Sequence, residues 1–424
     1  MQTDSKAPVT DRIAVVDVLR AFALFGIVIT HSAMGFLAGR PPAPGFMTFS
    51  PLDAFVALLD RLLIFGKFFT IFSFLFGLSF ALQMRSTEAK GGGFAGRFAW
   101  RLSVLALIAL VHNAFFSGDI LIIYAVLGFF LIPLRNVGTR WLVVTGLGLV
   151  LNLPVLLFNA VQINAPPPTA EQQAAAARAQ PQVMQGIREH FEAKQSGTVT
   201  DVVRVNLGPA FVGKWQFQVF TGRLWITFGL FLLGVAAGRL EIFRDTESNR
   251  RFFRKVLWSA GTVTLVTSAI FLAKPVTFQV KTFADLLASF SFTIQQLSLS
   301  AFYVAMVTLL YWRRPSGLLS KLAPAGKMGL TVYLTQTAFG VLLFYGIGLG
   351  MLGHMGVAAA ACCAMMFYGV QLVLARWWMS RFSMGPVEWL WRSLTYFKWQ
   401  SAMKAQGESS EAIATSVSPH APNR

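Results

Sequence analysis

The sequence predicts an all-α, polytopic membrane protein with about ten transmembrane helices and both termini in the cytoplasm. Three observations carry this expectation. Of the 424 residues, 55% are hydrophobic and only 13% are charged, where a soluble domain has about a quarter charged; the mean hydropathy is +0.59. Apolar windows long enough to cross the hydrocarbon core recur near 13–36, 67–85, 98–116, 119–135, 140–161, 216–238, 255–273, 285–311, 327–348 and 355–377. Lysine and arginine gather in alternate connections, as the positive-inside bias requires.

Residues 1–12 form the expected cytoplasmic N-terminus. The first apolar segment is interrupted by Asp17 and Arg20 and is too long for the core of a cleaved leader, so it reads as an uncleaved span. The stretch 54–85 exceeds one upright span. A break at "FGKFF" (Phe65 to Phe69) predicts an interfacial helix before the second span. Arg85, Lys90, Arg97 and Arg101 face Glu88 alone in the next connection, and Arg135 with Arg140 mark the following turn on that side. Basic clusters recur at 239–255 and 313–327, whereas the connections near 117–120 and 348–354 hold no Lys or Arg. Spans one to five then occupy 13–161, and spans six to ten occupy 216–384.

Between them, 162–215 is an extracytoplasmic loop that opens "NAPPPTAEQQAAAARAQ", a proline stop followed by an Ala/Gln-rich helix former, and contains Glu189, His190 and Glu192. It reads either as a cover for an outward-facing site or as a variable solvated loop. Residues 385–404, containing "GPVEWLWRSLTYFKW", form an amphipathic interfacial helix. The Ser/Ala/Pro-rich 405–424 is a disordered cytoplasmic tail.

The net charge of +18 would suit a nucleic-acid binder, but the basic residues are dispersed among apolar runs, so no nucleic-acid partner is expected. Cys362 and Cys363 are adjacent in an apolar run and read as small packing residues. There is no phosphate-binding loop of the Gly-Lys-Ser/Thr type, no His-Glu-x-x-His zinc helix and no Gly-x-Ser-x-Gly elbow. ATP-driven transport and soluble-type hydrolysis are disfavoured, and no metal is expected. "KGGGFAG" (Lys90 to Gly96) reads as a linker.

Ionisable residues inside apolar spans are costly and point to a site. Asp17 and Arg20 share a helix face, and eleven residues further His31 returns to within about 20° of it and about 16 Å along the axis. Arginine suits an anion arriving from the cytosol, and histidine suits proton transfer. A purely structural Asp–Arg pair with a bonded histidine is the competing reading. In "HNAFFSGDI", His112 ends one span and Asp119 opens the next. Asp119 caps a helix or orients an imidazole, or binds an acceptor hydroxyl. His31 and His112 therefore compete for the role of general base. Lys67 snorkels near the outer interface or binds substrate. Thr331, Tyr333, Thr335 and Gln336, and likewise Gln295 and Gln296, bond between helices or line a substrate path. Glu388 and Arg392 are spaced for an ion pair, and His354 is assigned no role.

"RIAVVDVLRAFALFGIVITH" resembles the first span of the type 3 acyltransferases, with a basic residue, ten intervening residues and a histidine. It also resembles the opening of the YeiB-like (DUF418) membrane proteins. Four later blocks resemble that family in order: "FFTIFSFLFGLSFALQM", "HNAFFSGDILIIYAVLG", "GKMGLTVYLTQT" and "GPVEWLWRSLTY". Two positions depart from it: Ala21 stands where a glycine is usual, and His31 where asparagine is usual. The resemblance implies membership of a transmembrane acyltransferase superfamily, together with the heparan-glucosaminide acetyltransferases. It implies acyl-CoA, acetyl-CoA above all, as cytosolic co-substrate and an outer-face acceptor.

On this basis His31, His112 and Asp119 are the candidate catalytic residues. Arg20 and Asp17 serve the acyl-CoA, and Lys67, Gln336 and Tyr333 the substrate. The expected partners are the lipid bilayer and a small-molecule, glycan or lipid acceptor, with homo-oligomerisation left open. The rival expectation is a proton-coupled transporter or exporter of a lipid or small metabolite. A fold retained as an assembly factor without catalysis is a third.

Overall fold

The computed structural model describes residues 13–38, 41–89, 93–274 and 280–403. The expected N-terminus 1–12, the tail 405–424 and part of the glycine-rich linker lie outside the described residues. The fold is all-α: among the described residues there is no strand, only an isolated antiparallel bridge between Phe382 and Met403.

The helices run in chain order as α1 (Ala14–Ala33), α2 (Pro51–Leu59), α3 (Lys67–Glu88), α4 (Phe94–Phe115), α5 (Leu121–Leu131), α6 (Thr139–Val150) and α7 (Leu153–Ile163). The polar insertion contributes α8 (Ala170–Gln195), α9 (Val199–Leu207) and α10 (Pro209–Phe220). Then follow α11 (Arg223–Arg239), α12 (Glu247–Ala273), α13 (Phe283–Arg313), the short α14 (Ala323–Lys327), α15 (Gly329–Phe344), α16 (Val357–Arg381) and α17 (Pro386–Tyr396). Polar caps set several starts. Thr169 and Gln172, Thr198 and Asp201, and Thr282 and Asp285 each form a reciprocal capping box.

This is a multi-pass membrane protein. Six stretches among the described residues are long and apolar enough to cross a bilayer, namely α1, Pro51–Glu88 taken across its turn at Phe65 and Gly66, α4, α12, α13 and α16. Two bent pairs, α6 with α7 at 41° and Val199–Phe220 with α11 at 68°, raise the number to eight. The other two expected windows hold the shorter apolar helices α5 and α15, of 11 and 16 residues. At 1.5 Å per residue these reach about 17 and 24 Å, short of a hydrocarbon core of about 30 Å. Asp119 fixes the start of α5, and Pro133 ends it in a 3-10 turn over Pro133–Asn136.

The expected break at "FGKFF" is present: a π-helical turn over Asp60–Ile64 leads to Gly66, at φ +82°, before α3 begins. Only glycine takes that backbone without strain. A second break pairs the two bent spans. Asn152, between α6 and α7, donates from Nδ2 to the Thr221 carbonyl at 3.2 Å, beside Gly222 at the start of α11.

Helix α1 lies at the centre, with Val18, Leu19, Ala21, Ala23, Leu24 and Val28 wholly buried against α3, α14, α15 and α16. The periphery is apolar and outward-facing, as at Trp258 and Leu265 of α12, which are 76% and 75% exposed. Such a surface is stable in lipid and not in water. Helices α3 and α11 pack backbone to backbone. A Cβ on Gly77 would sit 2.0 Å from the Phe231 carbonyl oxygen, and one on Gly234 2.1 Å from that of Phe74. Gly238 meets Ala81 in the same seam. This is the small-residue packing that membrane helices use where burial of apolar surface drives nothing.

Candidate functional site

At the end of the bundle where α1 finishes, a polar cluster is enclosed by apolar walls. The turn between α4 and α5 organises it. Phe116 is buried, its amide bonded to the His112 carbonyl at 3.0 Å, and the Asp119 amide returns to the Phe116 carbonyl at 3.1 Å. Asp119, 1% exposed, then does two jobs. Its carboxylate accepts from the amides of Leu121 and Ile122 at 3.0 and 3.1 Å, capping α5, and binds His112 Nδ1 at 2.8 Å. An ionised carboxylate can only accept, so the proton of the imidazole sits on Nδ1. His112 Nε2 then takes the hydroxyl of Thr337 on α15, 2.7 Å away. Carboxylate, imidazole and hydroxyl stand in one line, the arrangement that polarises a hydroxyl in nucleophilic catalysis.

His31 is placed differently. It is half-buried in the last turn of α1, with its ring 5.0 Å from Phe116 and 5.5 Å from Phe36, both edge-on. It makes no hydrogen bond among the described residues, and the neighbouring Ser32 Oγ is buried without a partner. His112, Asp119 and Arg223 all lie within electrostatic reach of its ring. Arg223 opens α11 just after the Gly222 break, with its guanidinium 4.2 Å from the centre of the Phe69 ring and its Nε unpartnered. The two histidines are thus brought together, but their roles divide. Both nitrogens of His112 are engaged, whereas those of His31 are available.

The insertion folds over this cluster. Asn113 Nδ2 donates to the Asn206 carbonyl, and Asn206 Nδ2 donates to the Ala114 carbonyl, each at 3.0 Å. Lys214 of α10 donates to Asn113 Oδ1 and to the Asp119 carbonyl. From α8, Lys194 Nζ donates to Ser117 Oγ at 3.0 Å, and His190 Nε2 lies 3.3 Å from the same oxygen. Burial lowers both bases, Lys194 to about 7 and His190 to about 3.

The opposite end of α1 is cationic. Arg20 donates to Asp17 Oδ1 at 2.8 Å and to Ser79 Oγ at 2.6 Å. Nearby, Arg101 stacks 3.8 Å over Trp391, within reach of the charges of Arg20 and Arg392. An open cavity of about 230 Å³ at this end is lined by Ser86, Thr87, Arg97, Arg392, Tyr396 and Gln400. Guanidinium and hydroxyl donors of this kind suit a phosphate ester.

The remaining candidates fall elsewhere. Lys67 does not snorkel: it is wholly buried and donates to the Arg61 carbonyl at 2.8 Å, near Asp60 and Thr30. Tyr333 puts its ring 5.2 Å from that of His112. Gln336 bonds the Leu24 carbonyl and Gln371 Oε1, both at 3.2 Å, joining α15 to α1 and α16. Gln295 donates to the Leu62 carbonyl at 2.8 Å. Glu388 forms no pair with Arg392. It caps α15, accepting from the Leu330 and Thr331 amides at 2.6 and 3.1 Å and from the Thr331 hydroxyl at 2.6 Å. Three strong donors at a helix start outcompete one exposed guanidinium four residues away.

A family model described as a protein of unknown function (DUF418) matches residues 237–398. Over 415 residues the chain is 30% identical to uncharacterized protein YxaH of Bacillus subtilis (strain 168), covering 93% of this chain and 96% of that one. It is 28% identical over 407 residues to uncharacterized protein YeiB of Escherichia coli (strain K12), covering 91% and 96%. The chain belongs to the YeiB-like family. An uncharacterized 39.9 kDa protein from the amylase 3′ region of Bacillus acidopullulyticus is 26% identical over 391 residues, 91% of this chain and 94% of that one. No solved structure matches the chain. The family model spans α12 to α17, so from the polar cluster of this YeiB-like chain it includes Thr337 but not His31, His112 or Asp119.

Sequence reasoning missed Ser117, Lys194, Asn113, Asn206, Lys214, Arg223 and Thr337. Most lie in or beside the polar insertion, where a lysine reads as solvated. Only their burial, with Lys194, Asn113 and Asn206 each at 0% exposure, sets them apart.

Proposed function

We propose that this YeiB-like protein is a cell-membrane acyltransferase. In this reading it moves an acyl group, acetyl above all, from cytosolic acyl-CoA to a hydroxyl or amine of a small-molecule, glycan or lipid acceptor in the outer half of the bilayer. In this reading the Arg20 end and both termini face the cytoplasm, which the basic connections at that end support. The short α5 and α15 then complete ten crossings, with neighbouring helices satisfying their ends.

The observation that supports the reading is His31, an imidazole with no hydrogen bond among the described residues, beside a fixed His112–Asp119 pair. Arg20, about 16 Å from His31 along α1, and the cavity of Arg97 and Arg392 hold the phosphates of the donor. The acceptor gives its proton to His31 as its oxygen or nitrogen attacks the thioester carbonyl. The carbon–sulfur bond breaks, and coenzyme A leaves as the thiol, taking the proton from His31. Arg223 supplies positive charge for the oxyanion, in surroundings that exclude water.

Protein purified into vesicles with a membrane extract and labelled acetyl-CoA tests this. Label passes to an acceptor with the native chain and not with His31→Ala. Proton-coupled solute movement, with no label transferred to any acceptor pool, would favour the transporter reading instead.

A further inference from the structure

The proposed transfer makes no use of Lys194, which is completely buried and, unlike the equally buried Lys67 with Asp60 nearby, has no carboxylate within electrostatic reach among the described residues. Lys194 Nζ has a single hydrogen bond there, to Ser117 Oγ at 3.0 Å, and lies 5.4 Å from the centre of the Tyr345 ring. Ser117 is 4% exposed, and its hydroxyl is flanked on the other side by His190 Nε2 at 3.3 Å. Two basic nitrogens from one turn of α8 therefore converge on one serine oxygen. An enclosed ammonium with no counter-charge is expensive, and a water or a methionine would fill the space at lower cost.

We propose that Ser117 is a nucleophile, activated by Lys194, that carries the acyl group as an ester between donor and acceptor. The proposal rests on acyl transfer as the chemistry of this site. In the first step Ser117 Oγ attacks the carbonyl carbon of the acyl thioester while its proton passes to the neutral Lys194 amine. The oxygen–carbon bond forms, the carbon–sulfur bond breaks, and the lysine proton leaves on the thiol sulfur. In the second step the acceptor hydroxyl or amine attacks the ester carbonyl and gives its proton to an imidazole of the cluster. The bond to Ser117 breaks, and the proton taken up by the imidazole passes through Lys194 to the serine oxygen, which restores the starting state. An amine lowered by burial to about 7 is neutral often enough near neutral pH to take the serine proton. Phe116 sits beside Ser117 in the chain and against the rings of both His31 and His112, so the ester is formed next to the acceptor side. Helix α8 over the serine keeps water from the ester.

The test uses the full chain in lipid nanodiscs with two donors, p-nitrophenyl acetate and acetyl-CoA, quenched in acid and mapped by peptide mass spectrometry. One acetyl group is expected on the peptide carrying Ser117, none on Ser117→Ala, and formation about 100-fold slower with Lys194→Met. Ser117→Cys, which keeps a nucleophile at the position, acquires the group as a thioester. An ester from p-nitrophenyl acetate alone supports the dyad and removes acyl-CoA as donor. Acetyl transfer to acceptor at the native rate by Ser117→Ala, with no ester in the native chain, overturns the dyad and leaves acyl transfer standing. No acetyl group on the protein or on any acceptor from either donor overturns both.

Discussion

Asp119 joins two structural tasks in one carboxylate: it binds His112 Nδ1 at 2.8 Å while it caps α5 through Leu121 and Ile122. The cap explains why the turn exists, and the imidazole explains why a neutral cap would not serve as well. Asp119→Asn separates the tasks. Its amide oxygen still accepts from the α5 amides, but one neutral oxygen replaces a charged acceptor for Nδ1–H. A hydrogen bond to a charged partner contributes about 1.5–3 kcal/mol. The variant is therefore expected to transfer acetyl roughly 10- to 100-fold more slowly while its helical circular dichroism is retained. Native transfer by Asp119→Asn would show that His112 needs no orientation.

The division of labour between the histidines gives a second prediction. His31 has no hydrogen bond to lose among the described residues, so His31→Ala costs activity without a large loss of stability. Removal of a general base slows a reaction by about 100- to 10,000-fold. His112 holds Asp119 and Thr337 together, so His112→Ala leaves the buried Thr337 hydroxyl unpaired, strips Asp119 of one of its three hydrogen bonds, and lowers the melting temperature as well. Equal melting temperatures for the two variants would contradict this assignment.

The pattern of residues made the membrane class, the broken second helix and the Asp119 cap readable in advance, because each depends on neighbours in sequence. Hydropathy windows found where apolar helices lie, but not that α5 and α15 are cut short, since Pro133 and the turn after Phe344 act through backbone geometry. The role of Glu388 was misread because local spacing favoured Arg392, while its partners are 57 and 58 residues away. The Ser117–Lys194 contact spans 77 residues and joins a tight turn to a helix of the polar insertion. No periodicity connects such positions; only folding does.

The seam between α3 and α11 yields a third prediction. Gly77→Ala and Gly234→Ala each drive a methyl group to about 2 Å from a backbone oxygen, which a side-chain rotation cannot relieve. Overpacking costs about 1–3 kcal/mol, and a backbone collision lies at the upper end. Both variants should melt earlier. The double variant should cost less than the sum of the two, because one outward shift of α11 relieves both clashes. Gly369 is the control, since a Cβ there meets nothing within 4 Å. Gly369→Ala should be neutral or stabilising by up to about 1 kcal/mol through helix propensity.

Burial of Lys194 makes stability depend on pH in a direction that can be stated. In the folded chain the amine is lowered from its ordinary 10.5 to about 7, by desolvation. Between these values the unfolded chain holds a proton that the folded chain does not, so stability rises as pH rises from about 7 toward 10. Below about 7 both states are protonated, and the folded state carries the whole cost of an enclosed ammonium. His190, lowered to about 3, adds a separate rise between about 3 and its ordinary 6.5. Lys194→Met removes the upper window and leaves the lower one. At pH 6 the methionine variant should melt higher than the native chain, on the order of a few degrees. The difference should shrink as the pH approaches 9, when the native amine is neutral. Tryptophan fluorescence melts of both proteins in the same detergent measure it. A native melting temperature that stays level between pH 7 and 9, relative to Lys194→Met, would mean that Lys194 has found a counter-charge and stays protonated.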